Sequence, residues 1–498
     1  MNNDITPQPI QFKGGKAPFV TTTDASGDDG NAATEVVSLF QAQKKIYARA
    51  VSGWFAAWRW FFVWFTQLVF YGLPWLEWNA RQAVLFDLGT RRFYIFGLVL
   101  YPQDFVYLTG LLIISAYALF LFTAVAGRLW CGYACPQTVY TEIFMWIEQK
   151  FEGDRTARMK LDDGPWTLNK IWRKAGKQTA WILVGLWTGL TFVGYFTPIR
   201  SLMTQLASLA FGPWEWFWIL FYGFATYGNA GYMREQVCKY MCPYARFQSA
   251  MFDKDTLVIS YDPERGEPRG SRPRKADPKA LGKGSCIDCT LCVQVCPTGI
   301  DIRDGLQYEC IGCAACIDVC NSVMDKMNYP RGLIRYATEN SMAEHWQGMQ
   351  LFKRIFRPRV LIYTTVLLLI CTGMVVSLAM RDPFKVDVVR DRASLARLVE
   401  DGRIENVYRL QIMNATEKRQ SYRIELADLD GASLVGKRVI ELDAAQARWV
   451  SANVQLPPEV AARLGAGVHP MNFVVHRVEA PGYAAATVSE KSTFMVPR

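Results

Sequence analysis

The sequence predicts a multi-domain membrane protein with a five-helix transmembrane α domain, a small cysteine-rich α+β domain and a C-terminal all-β sandwich. Three observations lead to this fold class. Five apolar segments each approach the roughly 20 residues that a helix needs to cross a bilayer. Eight cysteines fall within 286–320, and short runs of alternating polar and apolar residues fill 384–498. At 498 residues the chain is also too long for one domain.

The composition separates a membrane part from a soluble part. Apolar residues make up 51% of the chain, 17 residues are Trp, and the net charge is +10. Such a charge also occurs in nucleic-acid-binding proteins, but here the basic residues flank the apolar segments, which indicates a membrane surface. All thirteen cysteines precede residue 372. The two parts of the chain are therefore predicted to lie in different compartments.

Residues 1–43 are predicted to form a disordered tail, because they are rich in Gly, Thr, Asp and Asn and lack an apolar period. They also lack the basic and apolar regions of a cleavable signal peptide. The membrane domain is predicted over 44–260. The predicted transmembrane helices are at about 54–75, 105–127, 178–199, 216–233 and 360–380.

Two features near these segments need separate interpretation. Arg59 lies near the start of the first predicted helix, where its side chain is expected to snorkel to the interface. The segment 93–101 is too short to cross a bilayer and is expected to be interfacial.

The distribution of basic residues predicts the orientation. Loop 128–177 carries nine Lys or Arg and loop 234–359 carries nineteen, whereas 200–214 carries only Arg200. By the positive-inside rule both basic loops and the N-terminus are cytoplasmic. An odd number of spans then places 384–498 on the opposite side of the membrane, outside.

Two segments connect the cysteine-rich region to the membrane. Residues 261–284 contain four prolines and are predicted to form a semi-rigid linker. Residues 336–359 are predicted to be an interfacial segment, in which a helix over 343–359 would place its basic side chains against anionic lipid.

Two near-copies of one cysteine pattern lie in 286–320. Each has the spacing Cys-x2-Cys-x2-Cys-x3-Cys, and in two-cluster ferredoxins the fourth cysteine of each run ligates the other cluster. The pattern therefore predicts two [4Fe–4S] clusters in a ferredoxin-like α+β domain over 285–335. The first cluster is assigned to Cys286, Cys289, Cys292 and Cys320, and the second to Cys310, Cys313, Cys316 and Cys296.

Zinc and disulfide interpretations of these cysteines fit less well. Structural zinc sites use paired Cys-x2-Cys knuckles that a longer loop separates, and a third cysteine two residues on does not suit them. Cysteines on a cytoplasmic face stay reduced, which argues against disulfides. One departure from the pattern is Asn321, where a second proline is expected by analogy with Pro297.

A second cysteine pattern, Cys-x3-Cys-Pro, follows two of the predicted spans. Its members are Cys131, Cys135 and Pro136 in the first copy and Cys238, Cys242 and Pro243 in the second. If a helix runs through the motif, its two sulfurs share one face. If each proline instead starts a new helix, Cys135 and Cys242 lie at helix N-termini, where the dipole lowers a thiol pKa.

These four thiols predict either a metal site or a redox dithiol. Soft thiolates suit Cu(I), zinc or an iron–sulfur cluster, and whether the two pairs converge is not visible in the sequence. Cys371 stands alone and is interpreted as a small apolar filler. A membrane haem is not predicted, because none of the three histidines lies within a predicted span.

Residues 384–498 predict a small antiparallel β-sandwich. Runs at 407–412, 422–426, 449–456 and 471–478 alternate with period two and are separated by turn-forming residues. The segment has no cysteine pair of the antibody type. It also lacks a catalytic constellation, so a binding or docking role is expected.

Taken together, these features resemble one family. Two Cys-x3-Cys-Pro repeats after membrane spans, a dicluster ferredoxin loop, a fifth span and an external sandwich are similar to the FixG/RdxA/CcoG accessory proteins for cbb3-type cytochrome oxidase. The resemblance covers about 45–498. It implies a bacterial inner-membrane protein that reduces Cu(II) to Cu(I) for the oxidase copper centre. It also implies that the C-terminal sandwich is immunoglobulin-like and periplasmic.

This resemblance, joined to the thiol chemistry, predicts that electrons enter at the ferredoxin clusters and reach a copper ion. The expected copper ligands and redox thiols are Cys131, Cys135, Cys238 and Cys242. A copper transporter or chaperone and cbb3-type oxidase assembly factors are the expected partners, together with an unidentified cytoplasmic electron donor and a second copy of the chain in a homodimer.

Two other functions remain open. Residues 100–330 also resemble the quinol-oxidising membrane ferredoxins of periplasmic nitrate reductase systems, although such subunits typically end after the ferredoxin part. The remaining alternative is an iron–sulfur assembly scaffold without redox turnover. The fifth span and the external sandwich favour the oxidase accessory function.

Overall fold

The computed structural model describes residues 45–79, 81–274, 281–346, 350, 353–391, 396–479 and 483–497. The predicted tail 1–43 lies outside these residues, as do 275–280 of the predicted linker. The chain divides into two compact units. The first comprises Met1–Gly72, Leu112–Val193 and Gln205–Leu368, and the second comprises Leu73–Leu111, Gly194–Thr204 and Leu369–Arg498.

Fifteen α-helices are assigned in chain order within the described residues. They are α1 Trp54–Gly72, α2 Phe105–Ala126, α3 Leu129–Tyr133, α4 Pro136–Glu152, α5 Arg155–Asp163, α6 Leu168–Val193, α7 Ile199–Ser208, α8 Pro213–Thr226, α9 Pro243–Met251, α10 Pro263–Gly266, α11 Leu291–Gln294, α12 Ala315–Met327, α13 Glu339–Ala343, α14 Pro358–Ala379 and α15 Pro458–Leu464. Two π-helical turns, Tyr227–Met233 and Val237–Met241, follow α8.

Within the described residues, two helices are long and apolar enough to cross a membrane, Pro102–Ala126 and Pro358–Ala379. They coincide with the second and fifth predicted spans. The other three predicted spans are also helical, but the limits of the third differ from the prediction. Helix α6 begins at Leu168 because the Thr167 side chain accepts a hydrogen bond from the Lys170 amide at 3.3 Å. The five-helix membrane domain therefore stays a prediction.

The ferredoxin part of the first unit is built on a two-stranded antiparallel sheet. Strands β6 (Val258–Tyr261) and β7 (Ile334–Ala337) enclose the two cysteine runs in sequence and pair with each other. Helices α11 and α12 pack near this sheet, with Ile317, Met324 and Leu333 in the buried core. The cysteine runs are thus held between elements that are remote in sequence.

The second unit contains small sheets that the sequence did not predict. The first five strands are β1 (Glu77–Trp78), β2 (Arg81–Gln82), β3 (Val84–Asp87), β4 (Arg92–Ile95) and β5 (Leu98–Leu100). Strands β3, β4 and β5 form an antiparallel sheet in that order. Segment 93–101, expected to be interfacial, therefore belongs largely to a sheet. Tyr101 is buried with Met413 and donates a hydrogen bond to the Asn414 carbonyl at 2.9 Å.

The C-terminal segment forms the predicted sandwich. Its strands are β8 (Phe384–Arg390), β9 (Arg397–Leu398), β10 (Ile404–Asn414), β11 (Gln420–Ala427), β12 (Ser433–Val435), β13 (Val439–Leu442), β14 (Ala447–Leu456), β15 (Gly467–Arg477) and β16 (Ala486–Val496). One sheet has the order β12-β14-β10-β8 with β9 beside β10, and the other has the order β13-β11-β15-β16. Alternate residues of both sheets, such as Tyr408, Leu410 and Phe473, form its core. The all-β prediction is confirmed.

Candidate iron–sulfur and thiol sites

The backbone has the same conformation at equivalent positions of the two ferredoxin cysteine runs. The residues on either side of the second cysteine have positive φ in both runs: Asp288 and Thr290 in the first, at 55° each, and Gly312 and Ala314 in the second, at 70° and 59°. Helices α11 and α12 begin directly after Thr290 and Ala314. The third cysteine of each run therefore lies in the first turn of a helix, and the chain curls around the space that its thiols face.

Each cysteine run lines a separate small cavity, and each cavity also receives the fourth cysteine of the other run. One cavity, of about 30 Å³, is lined by Cys286, Cys289, Cys292 and Cys320. The other, of about 20 Å³, is lined by Cys296, Cys310, Cys313 and Cys316, and Cys292 lines both cavities. This is the arrangement that crossed ligation requires. The residue-by-residue ligand assignment stays a prediction.

The chemistry of the thiols fits iron–sulfur clusters. Burial raises the pKa of Cys292 to about 11 and the pKa of Cys310 and Cys320 to about 12. Such thiols are neutral near pH 7 unless a metal stabilises their thiolate form. In the described part of the chain no three His, Cys, Asp or Glu side chains are grouped as ligands of a single metal ion. The cysteines instead surround two cavities, as a cluster requires.

Arg303 is a charged residue at the first cavity that sequence reasoning missed. Its side chain is 8% exposed, lines the cavity and pairs with Asp301 at 2.6 Å and with Asp288. Asp301 and Asp288 keep this cation beside Cys289 and Cys292. The positive charge of Arg303 lowers the pKa of Cys292 and so opposes the effect of burial on that thiol. No motif marks Arg303, because its role depends on the fold of the loop after the first run.

The second run has Asn321 where the first run has Pro297, because helix α12 runs through this position. Helix α12 continues past Cys320 to Met327, whereas α11 ends at Gln294, before Cys296. A proline at 321 would disrupt the helix interior. The Asn321 side chain instead accepts a hydrogen bond from the Gly332 amide at 3.0 Å.

The Cys-x3-Cys-Pro motifs break the helices rather than continue them. Cys135 is the residue before α4, and Pro136 occupies the first helical position. Cys242 and Pro243 stand in the same relation to α9. The prediction of two new helices holds, but the expected low pKa of Cys135 is wrong. Burial raises the pKa of Cys135 to about 11 and outweighs the backbone amides of Gln137 and Thr138, which lower it.

The four thiols of the two motifs lie near one another. Burial raises the pKa of Cys238 to about 12, and the charges of Cys135, Cys131 and Cys242 raise it further. Cys131 and Cys238 share one buried cluster with Cys313 of the second ferredoxin run. The Cys131 sulfur lies 3.5 Å from the Gln248 amide oxygen, to which Arg128 donates at 2.8 Å. The structure thus brings together residues that the sequence left unconnected.

The first Cys-x3-Cys motif packs directly on the second ferredoxin run. A Cβ atom at Gly132 would lie 2.7 Å from the Gly312 carbonyl oxygen and 2.9 Å from the Cys313 Cα. Only glycine permits backbones to approach this closely. Gly132 is thus the residue that lets the two thiol sites adjoin.

Arg59 does not snorkel as expected. It is 6% exposed and donates a hydrogen bond to the Cys313 carbonyl at 2.8 Å, with the Glu142 carboxylate 3.7 Å away. Asp318, between Cys316 and Cys320, accepts hydrogen bonds from the amides of Phe55 and Ala56 at the start of α1. The first predicted span is therefore joined to the ferredoxin part by its own polar groups.

A buried ion network supports the second Cys-x3-Cys motif. Glu148 of α4 is fully buried and pairs with Arg158 at 2.7 Å, Arg234 at 2.9 Å and Lys177 at 3.6 Å. Burial opposes ionisation, but these cations hold the pKa of Glu148 below its usual value. Arg234 lies four residues before Cys238, so its ion pair with Glu148 connects α4, which follows the first motif, to the segment that precedes the second motif.

Three protein families match parts of this chain. The 4Fe-4S dicluster domain matches residues 233–339, a 4Fe-4S binding domain matches 108–153, and the IG-like fold at the C-terminus of FixG matches 374–497. The nitrogen fixation protein FixG of Rhizobium meliloti is 38% identical over 81% of this chain and 83% of its own length. The chain belongs to the FixG/RdxA/RdxB family.

Two further members extend the comparison. The RdxB protein of Cereibacter sphaeroides is 40% identical over 79% of this chain and 84% of its own length. The RdxA protein of the same organism is 38% identical over 78% and 83%. This chain is accordingly an iron–sulfur protein of the FixG type that holds [4Fe–4S] clusters and carries an immunoglobulin-like C-terminal domain. The dicluster match covers the second Cys-x3-Cys motif as well as all eight ferredoxin cysteines, and the 108–153 match covers the first.

Proposed function

We propose that this FixG-type protein transfers single electrons to Cu(II) and supplies Cu(I) for the assembly of a cbb3-type cytochrome oxidase. The observation that carries the proposal is the backbone contact of Gly132 with Gly312 and Cys313. It makes the Cys-x3-Cys thiols neighbours of the second ferredoxin site. Bound [4Fe–4S] clusters supply one-electron chemistry, which is the chemistry that Cu(II) reduction needs.

Copper is the substrate in this proposal, and four thiols receive it. Cys131, Cys135, Cys238 and Cys242 are soft ligands that prefer Cu(I) over Cu(II). One electron converts Cu(II) to Cu(I), and no bond between protein and substrate needs to form or break other than metal–sulfur coordination. Gln248 positions the Cys131 sulfur, and Arg128 holds Gln248 in turn.

The proposal includes five membrane spans with the ferredoxin part in the cytoplasm and the sandwich in the periplasm. The division into two units supports it. The chain passes from one unit to the other at 72/73, 111/112, 193/194, 204/205 and 368/369. Four of these passages lie inside a predicted span, and the other precedes the fourth span. Two of the three segments of the second unit, Leu73–Leu111 and Gly194–Thr204, carry only four Lys or Arg between them, and both are predicted to be outside.

The test is Cu(II) reduction by the purified, cluster-loaded protein under anaerobic conditions. We expect dithionite-reduced wild type to form Cu(I), detected with a Cu(I)-specific chelator, and to retain it on the protein. Changing Cys131 and Cys135, or Cys238 and Cys242, to Ala should abolish retention and slow reduction. Cys371→Ala is the matched control. Unchanged reduction and retention in both double variants would contradict the proposal.

A second candidate function for the four thiols is to hold a third iron–sulfur cluster. The match of residues 108–153 to a 4Fe-4S binding domain favours it, because that segment contains Cys131 and Cys135. Iron analysis separates the two proposals. A third cluster requires about twelve iron atoms per chain, whereas two clusters require about eight.

A further inference from the structure

A cavity of about 140 Å³ lies in the first unit, against the second ferredoxin site. Its wall includes Cys313, the segment Pro297–Thr298 that follows Cys296, and Cys238 of the second Cys-x3-Cys motif. An engineered protein cavity of about 150 Å³ holds one benzene molecule. The space is therefore that of a single six-membered ring beside both thiol sites.

Two buried guanidinium groups in this wall each have one N–H donor without a hydrogen-bond partner among the described residues. Arg59 and Arg158 are 6% and 3% exposed, and the Nε atom of each lacks a hydrogen-bond partner among the described residues. A buried donor without a partner costs roughly 1–3 kcal/mol. These two donors favour a ligand with acceptor oxygens. Arg59 also donates to the Cys313 carbonyl, so it touches both the cavity and the second ferredoxin run.

The charges of the wall exclude a simple anion site. Four arginines line the cavity, and so do three carboxylates, Glu142, Asp154 and Glu235. Nearly balanced charges suit a neutral ligand that can both accept and donate hydrogen bonds. The Glu142 side chain is 20% exposed and lies 3.7 Å from Arg59.

One side of the cavity has the composition of a membrane interface. Trp60 and Trp146 both line it, and their rings meet edge to face at 6.3 Å. Trp146 is 46% exposed, with the Lys150 ammonium 5.6 Å from its ring centre. Tryptophan and lysine together are typical of the boundary between lipid and water. The wall that contains Trp60 and Trp146 is thus suited to a ligand with an apolar tail.

We infer that this cavity binds the headgroup of a membrane quinol, which is the electron donor of the protein. The inference rests on the proposed electron transfer and identifies its source. A quinol is neutral, contains one six-membered ring with two oxygens and carries an apolar tail. Arg59 and Arg158 bind the ring oxygens, and Trp60 and Trp146 contact the apolar tail.

The reaction balances without another co-reactant. Oxidation of one quinol to a quinone breaks two O–H bonds and releases two electrons and two protons. Two [4Fe–4S] clusters, held by the two cysteine runs, would accept one electron each, so a donor of two electrons is matched to two one-electron sites. One proton goes to the Glu142 carboxylate and the other to water at the cavity mouth. The two electrons then reduce two Cu(II) ions.

The experiment mixes full-length, cluster-loaded protein in detergent with a short-chain benzoquinol under anaerobic conditions and without copper. We expect the visible absorbance of the clusters to bleach, as it does with dithionite. Bleaching by dithionite but not by quinol would overturn the inference. The proposed copper function would stand if the dithionite-reduced protein still reduced Cu(II), so the two failures are distinguishable.

Variants then test the cavity itself. Glu142→Gln removes the proton acceptor and should slow quinol-dependent bleaching by about tenfold or more, with the dithionite reaction and iron content unchanged. Glu264→Gln, on an exposed side chain, is its matched control. Trp60→Leu should weaken binding of the oxidised quinone, measured by calorimetry, whereas Trp58→Leu on the same helix should not. Wild-type rates and affinities in Glu142→Gln and Trp60→Leu would overturn the assignment.

Discussion

Cys296 and Cys320 each line the cavity of the run to which they do not belong. Their position follows from the spacing, because the fourth cysteine is displaced from the face that the first three share. In the structure, each cavity is lined by the first three cysteines of one run and by the fourth cysteine of the other run. We therefore predict that each cluster needs cysteines from both runs.

This crossing predicts a specific result for paired variants. In a chain with Cys310, Cys313 and Cys316 changed to Ala, the remaining cluster should survive Cys296→Ala but be lost with Cys320→Ala. The expected iron content is about four atoms per chain in the first case and about zero in the second. Iron analysis and the spectrum of the reduced protein measure it. The opposite result would mean that each run binds its own cluster.

Arg59 illustrates how a residue in an apolar segment acquires a role through its neighbours. The side chain of a lone arginine near the end of a membrane helix is expected to extend to the membrane–water interface. Here the carbonyl of Cys313 and the carboxylate of Glu142 are closer partners. Burial of a charge is tolerated when it is paired and hydrogen-bonded, and both conditions are met.

At the scale of elements, the contact between α3 and the second ferredoxin run decides whether the thiol sites adjoin. Gly132→Ala places a Cβ atom 2.7 Å from the Gly312 carbonyl oxygen and must force the two segments apart. We expect Cu(II) reduction by the prereduced protein to slow by about tenfold or more, because small displacements between reacting groups are costly.

The matched control for this change is Gly228→Ala, since a Cβ atom there meets nothing within 4 Å. Iron content should stay at the wild-type value in both variants. A wild-type rate in Gly132→Ala would show that the close approach has no part in electron transfer.

The buried ion network between α4, α6 and the second motif predicts acid sensitivity. The pKa of Glu148 is lower in the folded protein than its ordinary value of 4.5, so its ion pairs contribute stability above about pH 4.5 that is lost as the pH falls below it. Glu148→Gln removes the carboxylate that Arg158 and Arg234 pair with, whereas Lys177 keeps Glu152 at 2.8 Å, and the change should cost about 3 kcal/mol at pH 7. Below pH 4.5 the difference between wild type and variant should shrink.

Unfolding midpoints in denaturant, followed by tryptophan fluorescence at pH 7 and pH 4, measure this difference. Glu264→Gln is the control, because its side chain is exposed and should change stability by less than about 0.5 kcal/mol. A gap between Glu148→Gln and wild type that is equal at both pH values would contradict the ion-pair explanation.

For the whole molecule, the distribution of basic residues predicts a topology that reporter fusions can test. A reporter that is active only in the periplasm should be active when it is fused at residue 90, at residue 205 or after residue 498. A reporter that is active only in the cytoplasm should be active when it is fused at residue 160 or 285. The physical reason is that basic loops stay in the cytoplasm, and 128–177 and 234–359 are the basic loops. A cytoplasmic reporter that is active after 498 would contradict the odd number of spans.

The second unit also shows how far the C-terminal domain depends on its surroundings. Tyr101 donates to the Asn414 carbonyl, and Asp104 is buried with Arg381 at 2.5 Å. These pairs are 313 and 277 residues apart in the chain, and nothing in the alternating pattern of 384–498 indicates them. The sandwich itself follows from local alternation, whereas its attachment to β3, β4 and β5 does not.

The sequence by itself determined the sandwich, the ferredoxin runs and the family, because each depends on spacing that is local in the chain. Cysteines two and three residues apart can be recognised without coordinates, as can residues that alternate. The prolines of the Cys-x3-Cys-Pro motifs likewise predicted that helices begin at Pro136 and Pro243.

Only the tertiary structure decided what these local features do to one another. Burial, which depends on neighbours from distant segments, raised the pKa of Cys135 where the helix N-terminus alone would lower it. The approach of Gly132 to Cys313 and the burial of Arg59 also join segments more than 100 residues apart. Spacing specifies which residues can act as ligands, but long-range packing specifies their neighbours, their ionisation and the cavity beside them.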